Sequence, residues 1–244
     1  MKIDILTLFP EFFQTPINTS ILKRAIDANA IDLTITNIRD FTTDKHHKAD
    51  DRPFGGGCGM VMKAEPLFGA IESIEKTSST KVILLCPRGK VYTQEKAFEL
   101  SKEEHLVFVC GHYEDIDERV REVLITDEIS IGDYILTGGE IPTLVVLDSI
   151  IRLLPDVLGN EDSAIEDSFT DGLLDCPHYT RPSNFRGLEV PEVLISGNHA
   201  KIEEWRMKQK LKLTYQKRPE LLEKVSLDKK SLKLLKEIKE ELKQ

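Results

Sequence analysis

The stretch Ile129-Ser130-Ile131-Gly132-Asp133-Tyr134-Ile135-Leu136-Thr137-Gly138-Gly139-Glu140-Ile141-Pro142 decides the reading of the fold. It opens as an alternating apolar run, breaks at glycines, and passes straight into the apolar residues 141–154: strand, tight loop, helix start. Glycines at 132, 138 and 139 allow positive φ and leave main-chain N–H and C=O groups uncovered, so a flat ligand can be read by backbone alone. A plain strand-to-helix turn would look the same in isolation. Two sister junctions upstream separate the readings. Residues 81–86 form a buried apolar strand ending at Pro87-Arg88-Gly89, and residues 105–110 form another ending at Gly111-His112-Tyr113-Glu114. Three such strands in one parallel sheet set their carboxyl-end loops side by side, where open α/β sheets bind ligands.

Outward from this core, residues 3–8 read as a strand, 19–29 as a helix capped by Thr19 or Ser20, and 31–38 as a second strand, an opening suited to a parallel α/β sheet. Helices are expected over 65–75, over 93–102 with Thr93 as cap, and over 117–123. Between them, residues 40–59 are polar and glycine-rich, and read as a mobile loop over a site. Its glycine run has neither a phosphate-loop ending nor dinucleotide spacing. Adjacent histidines such as His46 and His47 rarely chelate together, so no metal is expected. Cys58, Cys86, Cys110 and Cys176 are scattered without paired spacing, against both a zinc site and a disulfide framework.

The chain has 244 residues, 40% of them hydrophobic, enough for one large domain and a smaller one. No apolar run reaches membrane-spanning length, and residues 1–6 read as a strand, not a signal peptide, so a cytoplasmic protein without a membrane partner is expected. The net charge of −9 is unevenly spread. From Lys201 to the end there are 14 Lys and Arg against 8 Asp and Glu, which leaves −15 on the preceding 200 residues. A basic tail on an acidic body can grip a polyanion at one place. Helices are expected from Gly197-Asn198 to residue 216, briefly after Arg218-Pro219, and after Ser226 or Asp228. Residues 161–175 are acidic and aperiodic, and read as a linker that orders on binding.

Five motifs in order carry a resemblance. They are Gly55-Gly56-Gly57-Cys58-Gly59-Met60-Val61-Met62, Cys86-Pro87-Arg88-Gly89, Gly111-His112-Tyr113-Glu114-Asp115-Ile116-Asp117-Glu118-Arg119-Val120, the opening stretch from Ile131 to Glu140, and Asp167-Ser168-Phe169-Thr170-Asp171-Gly172-Leu173-Leu174-Asp175-Cys176-Pro177-His178-Tyr179-Thr180-Arg181-Pro182. Together they resemble the bacterial tRNA (guanine-N1)-methyltransferases of the trefoil-knotted superfamily, over essentially the whole chain. The resemblance implies an α/β, trefoil-knotted parallel-sheet domain over residues 1–160, which binds S-adenosyl-L-methionine. A flexible linker over 161–176 would carry the catalytic acid, and a small all-helical domain over 177–244 would bind tRNA. Sequence reasoning alone would not propose a threaded chain.

Carried over by position, the cofactor pocket would be Leu84, Leu85, Cys86, Pro87 and Gly89; Gly111, Tyr113 and Glu114; and Ser130, Ile131, Gly132, Asp133, Tyr134, Ile135, Leu136, Thr137, Gly138 and Gly139 with Pro142. The resemblance also implies a homodimer with the site at its subunit interface. Cys86, Arg88, His112 and Asp115 depart from the residues commonest in the family. Guanine N1 bears a proton at neutral pH, so methyl transfer needs a base as well as alignment. Asp167 in the acidic linker is the candidate base, and the resemblance also marks it as catalytic; Arg152 is the candidate to orient it or to stabilise charge on guanine O6, with Asp175 and His178 second in rank for holding the linker or the base. Two rivals remain at this point: a cysteine hydrolase built on Cys110 and His112, for which two residues apart on a strand end leave little room, and a non-catalytic RNA-binding protein.

Overall fold

The computed structural model describes residues 1–159 and 167–242. The chain divides into two compact units, Met1–Glu161 and Asp162–Gln244.

In chain order the first unit contains β1 (Lys2–Thr7), α1 (Ser20–Asp27), β2 (Asp32–Asn37), α2 (Ala64–Glu72), β3 (Lys81–Val91), α3 (Gln94–Leu100), β4 (His105–Cys110), α4 (Glu118–Leu124), β5 (Asp127–Ser130) and α5 (Glu140–Ile151). The five strands form one sheet in the order β2-β1-β4-β3-β5, and every pairing in it is parallel. Parallel strands need helical crossovers, which cover both faces of the sheet. Side chains alternate accordingly. Ile3, Ile5, Ile83, Leu85, Leu106 and Phe108 pack with Val146, Leu147, Ile150 and Ile151 of α5. Leu6, Val82, Leu84, Val107 and Val109 face the opposite layer, with Leu67, Ala70 and Ile71 of α2 and Val120 of α4. The central strand β4 is buried along its whole length, apolar from Leu106 to Cys110, with the His105 ring 2.7 Å from the Asp4 carboxylate.

Two expectations are corrected here. The strand expected to stop at residue 86 instead runs to Val91, with a break in register: Leu85 pairs with Ile129, and pairing with β5 resumes at Lys90. Pro87 has no N–H to give a ladder, so residues 86–89 leave the sheet as a bulge before the strand recovers. The glycines also divide by role. Gly132 adopts φ +145°, whereas Gly139 has an ordinary helical-region backbone, φ −81° and ψ −5°. Gly139 is required for space: a Cβ there would lie 2.7 Å from Cys110 Cα and 3.0 Å from the Gly111 nitrogen.

The second unit is helical, with α6 (His199–Lys217) capped by Asn198, and α7 (Lys229–Glu241) capped by Asp228. It also carries a short antiparallel pair, Asn184–Phe185 with Leu188–Glu189, which the sequence reading did not foresee. Leu173, Leu211, Leu234, Leu235 and Ile238 form its core. Leu173 corrects the linker expectation over its described part. Buried at 2% exposure, it anchors the 167–176 segment to this unit, and the Leu174 N–H donates to Thr214 Oγ1 at 2.9 Å. Glu161, Asp162 and Glu166, on which much of that expectation rested, lie outside the described residues. No helix among the described residues is long and apolar enough to cross a membrane.

Candidate functional site

The bulge of β3, the loop after β4 and the loop after β5 meet at the carboxyl edge of the sheet around a cavity of about 260 Å³. Leu84, Leu85, Cys86 and Pro87 line it from the first segment, and Gly111, Tyr113 and Glu114 from the second. From the third come Ser130, Ile131, Gly132, Tyr134, Ile135, Leu136, Thr137, Gly138 and Gly139, with Pro142 at the start of α5. Two residues expected in the wall are not part of it. Gly89 sits where β3 regains the sheet, its Cα pressed against the backbone of Glu128 and Ile129. Asp133 is exposed at the loop tip. Four wall residues were missing from the expected set: Arg88, His112, Asp115 and Ile129. All four lie inside stretches already singled out, and immediate adjacency was the available signal.

Backbone bonds hold the segments together. Gly139 N–H donates to Gly111 C=O at 2.8 Å, and His112 forms an antiparallel bridge with Gly138. Glu114 N–H donates to Met60 C=O at 3.0 Å, which brings the glycine-rich segment to the same edge, and Gly59 packs against the Glu114 carboxylate. The His112 ring lies 5.0 Å from both Phe9 and Tyr113, and its Nδ1 is buried without a hydrogen-bond partner among the described residues. Glu140, at the first turn of α5, is buried and accepts a 2.7 Å bond from Thr7 Oγ1.

The hydrolase rival fails on this geometry. Cys110 is fully buried, its Sγ lies 3.3 Å from Thr143 Oγ1, and burial, reinforced by the Glu140 charge, pushes its thiol well above the ordinary range. A thiol held protonated is neither a nucleophile nor a metal ligand.

Arg152 ends α5, its N–H bonded to main-chain carbonyls of the last turn. Asp167 is half-buried in the second unit, where its carbonyl accepts the Thr170 N–H at 3.3 Å. Nearby in sequence, Asp175, Cys176 and His178 bring ligand-type atoms within 4.8 Å of one another. Both Asp175 oxygens are already engaged, by His178 Nε2 at 2.8 Å and the Cys176 N–H at 2.6 Å. Burial raises that carboxyl, but these bonds outweigh it and hold it below its usual value.

Comparison with known proteins now adds to the geometry. The family model described as tRNA (Guanine-1)-methyltransferase TrmD matches residues 1–224. The chain belongs to the tRNA (guanine-1)-methyltransferase family. Proteins named tRNA (guanine-N(1)-)-methyltransferase from Bacillus cereus (strain AH820), Bacillus anthracis (strain A0248) and Bacillus thuringiensis subsp. konkukian (strain 97-27) are each 57% identical over 242 residues, covering 98% of this chain and 99% of the relative. In this methyltransferase family member, three of the four departures noted in the sequence, Cys86, Arg88 and Asp115, fall in one charged cluster beside the cavity.

Proposed function

We propose that the chain transfers a methyl group from S-adenosyl-L-methionine to N1 of the guanine 3′-adjacent to the anticodon, position 37, of tRNA, giving 1-methylguanosine. The observation that carries this reading is the cavity at the carboxyl edge of β3, β4 and β5, in a chain whose full-length relatives are named tRNA (guanine-N(1)-)-methyltransferase. The residues present fit the donor. A flat adenine suits walls of Leu84, Leu85, Pro87, Ile131, Leu136 and Pro142, with main-chain N–H and C=O groups of the glycine loops at hand. The Glu114 carboxylate suits a cationic centre. When bound, the donor supplies an electrophilic methyl group on a sulfonium. Gly138 and Gly139 let the loop close against His112 and against the Cys110–Gly111 backbone because neither projects a side chain, and the threading of the family's chain is expected at these loops.

This chain's own residues would supply alignment and proton removal. Asp167 is the proposed base that takes the N1 proton of guanine, and Arg152 the proposed partner that steadies it or the charge developing on O6. The basic helices of the second unit would hold the RNA phosphates. A homodimer is proposed, with the active site at the subunit interface. Supporting it, Tyr134, Ile135 and Leu136 are exposed in the loop, and Ile141 and Val145, one turn apart on α5, are 49% and 46% exposed. A second copy would cover such apolar surface. The test is calorimetry with S-adenosylmethionine alongside a methyl-transfer assay on unmodified tRNA. Binding with transfer is expected; no heat with the donor would favour the non-catalytic RNA-binding reading.

A further inference from the structure

Arg121, on α4, does not line the cavity, yet it is bonded to the segments that do. Its guanidinium is 5% exposed and reaches three carboxylates. Nη2 donates to Asp115 Oδ1 and Oδ2 at 2.7 and 2.6 Å, Nη1 to Glu128 Oε1 at 2.8 Å, and Nε to Glu118 Oε2 at 3.1 Å. Nη1 also lies 3.5 Å from Cys86 Sγ, which itself sits 3.7 Å from Glu128 Oε2. Glu118 in turn takes a two-pronged grip from Arg88, at 2.9 and 3.0 Å. The partners come from the β3 bulge, the loop after β4 and the start of β5. The first two are walls of the cavity, and in the third Glu128 directly precedes Ile129, where the last wall begins.

Burying a guanidinium costs free energy that its ion pairs roughly return, so net stability is a poor reason for this cluster. Its planar fork, with five donors at fixed angles, can instead fix the separation of three backbone segments. A bulge that has left the sheet has lost ladder bonds to hold it, and the cluster meets that need at Cys86 and Arg88. Burial works against the Arg121 charge, but the bonds from Glu128, Cys86 and Asp115 outweigh it and keep the group protonated.

We propose that Arg121 is a positioning residue that sets the spacing of the three cavity walls and thereby the affinity of the cavity for its ligand. The inference rests on the donor reading above for the identity of the probe, S-adenosylhomocysteine, but its first readout does not. Arg121→Met keeps the length of the side chain and removes the fork. The carboxylates left behind can turn outward, since Asp115 and Glu118 are already 37% and 51% exposed. In ligand-free protein, amide hydrogen exchange over residues 86–91 and 111–116 should quicken about tenfold while the central strand β4 keeps its protection. S-adenosylhomocysteine should bind about tenfold more weakly by calorimetry. The KM for S-adenosylmethionine should rise by a similar factor, with kcat within about twofold at saturation. Arg121→Lys restores charge without the fork, and should not restore affinity.

Unchanged exchange in both segments, or full rescue by lysine, would overturn the proposal. Should Arg121→Met fail to fold, Glu118→Gln and Glu128→Gln, neither of which lines the cavity, each weaken one strut, and each should weaken binding about threefold; wild-type affinity in both would overturn it equally. If wild-type protein does not bind S-adenosylhomocysteine, the donor reading falls, and the exchange experiment still decides whether Arg121 holds the walls.

Discussion

Placing alanine at position 139 tests the cavity by a single methyl group. Because Gly139 has φ −81° and ψ −5°, alanine meets no backbone penalty there, and the whole effect is one of space. The new Cβ would fall 2.7 Å from Cys110 Cα, 3.0 Å from the Gly111 nitrogen and 3.2 Å from the Cys110 carbonyl carbon. These are main-chain atoms of the buried central strand and its exit, so the 131–139 loop must move. Overpacking of this kind costs roughly 1–3 kcal/mol. The displaced loop also loses the 2.8 Å bond from Gly139 N–H to Gly111 C=O, worth about 1 kcal/mol. In free protein the loop relaxes outward and avoids part of that cost, whereas a bound ligand needs the loop in place. The sum, about 2–4 kcal/mol, therefore appears mainly as a loss of affinity of roughly 30- to 1000-fold. Calorimetry with S-adenosylmethionine reads it, and a thermal melt should fall by no more than about 10 °C. Gly139→Val should abolish binding. Wild-type affinity and melting in Gly139→Ala would refute the close approach; normal binding in the valine variant would place the pocket elsewhere.

Asp167→Asn should lose nearly all methyl transfer while binding S-adenosylmethionine normally, and weak donor binding in that variant would contradict the proposed role as base. Cys110→Ala should keep its activity, and a thiol reagent should label exposed Cys58 long before buried Cys110; loss of transfer in Cys110→Ala with Asp167→Ala active would revive a cysteine mechanism. The same thiol makes a pH prediction. Its folded-state proton is held above the ordinary value, so its contribution is intact below about pH 8.5 and is lost as pH rises beyond it. Melts above that pH should fall more steeply in wild type than in Cys110→Ala, and parallel curves would count against the assignment. Ile141→Lys with Val145→Glu should shift sedimentation from dimer to monomer; an unchanged coefficient would move the interface off α5.

Much of the site could be read from the chain because its signals are local. Strand β4 announces itself by six consecutive residues that suit burial on both faces, and α5 by an apolar run entered through Gly138-Gly139. What escaped the sequence depends on contacts between distant residues. Pro87 reads as a strand end, and only the partner β5, some forty residues on, shows that the chain returns to the ladder. Gly139 reads as a turn residue until the backbone of β4 is seen against it. Nothing local in the sequence joins Arg121, Glu118 and Glu128; their convergence is a property of the folded sheet edge. The acidic composition before residue 176 suggested a free linker, and it outweighed Leu173, whose burial ties the described part down.

The most direct measurement is transfer of a labelled methyl group from S-adenosylmethionine to unmodified tRNA bearing guanine 3′ of the anticodon, followed by mapping of the modified base. One methyl per tRNA, recovered as 1-methylguanosine at that position and absent when the guanine is replaced, is the predicted result. No incorporation, or a methyl on another base or another atom of the ring, would contradict it.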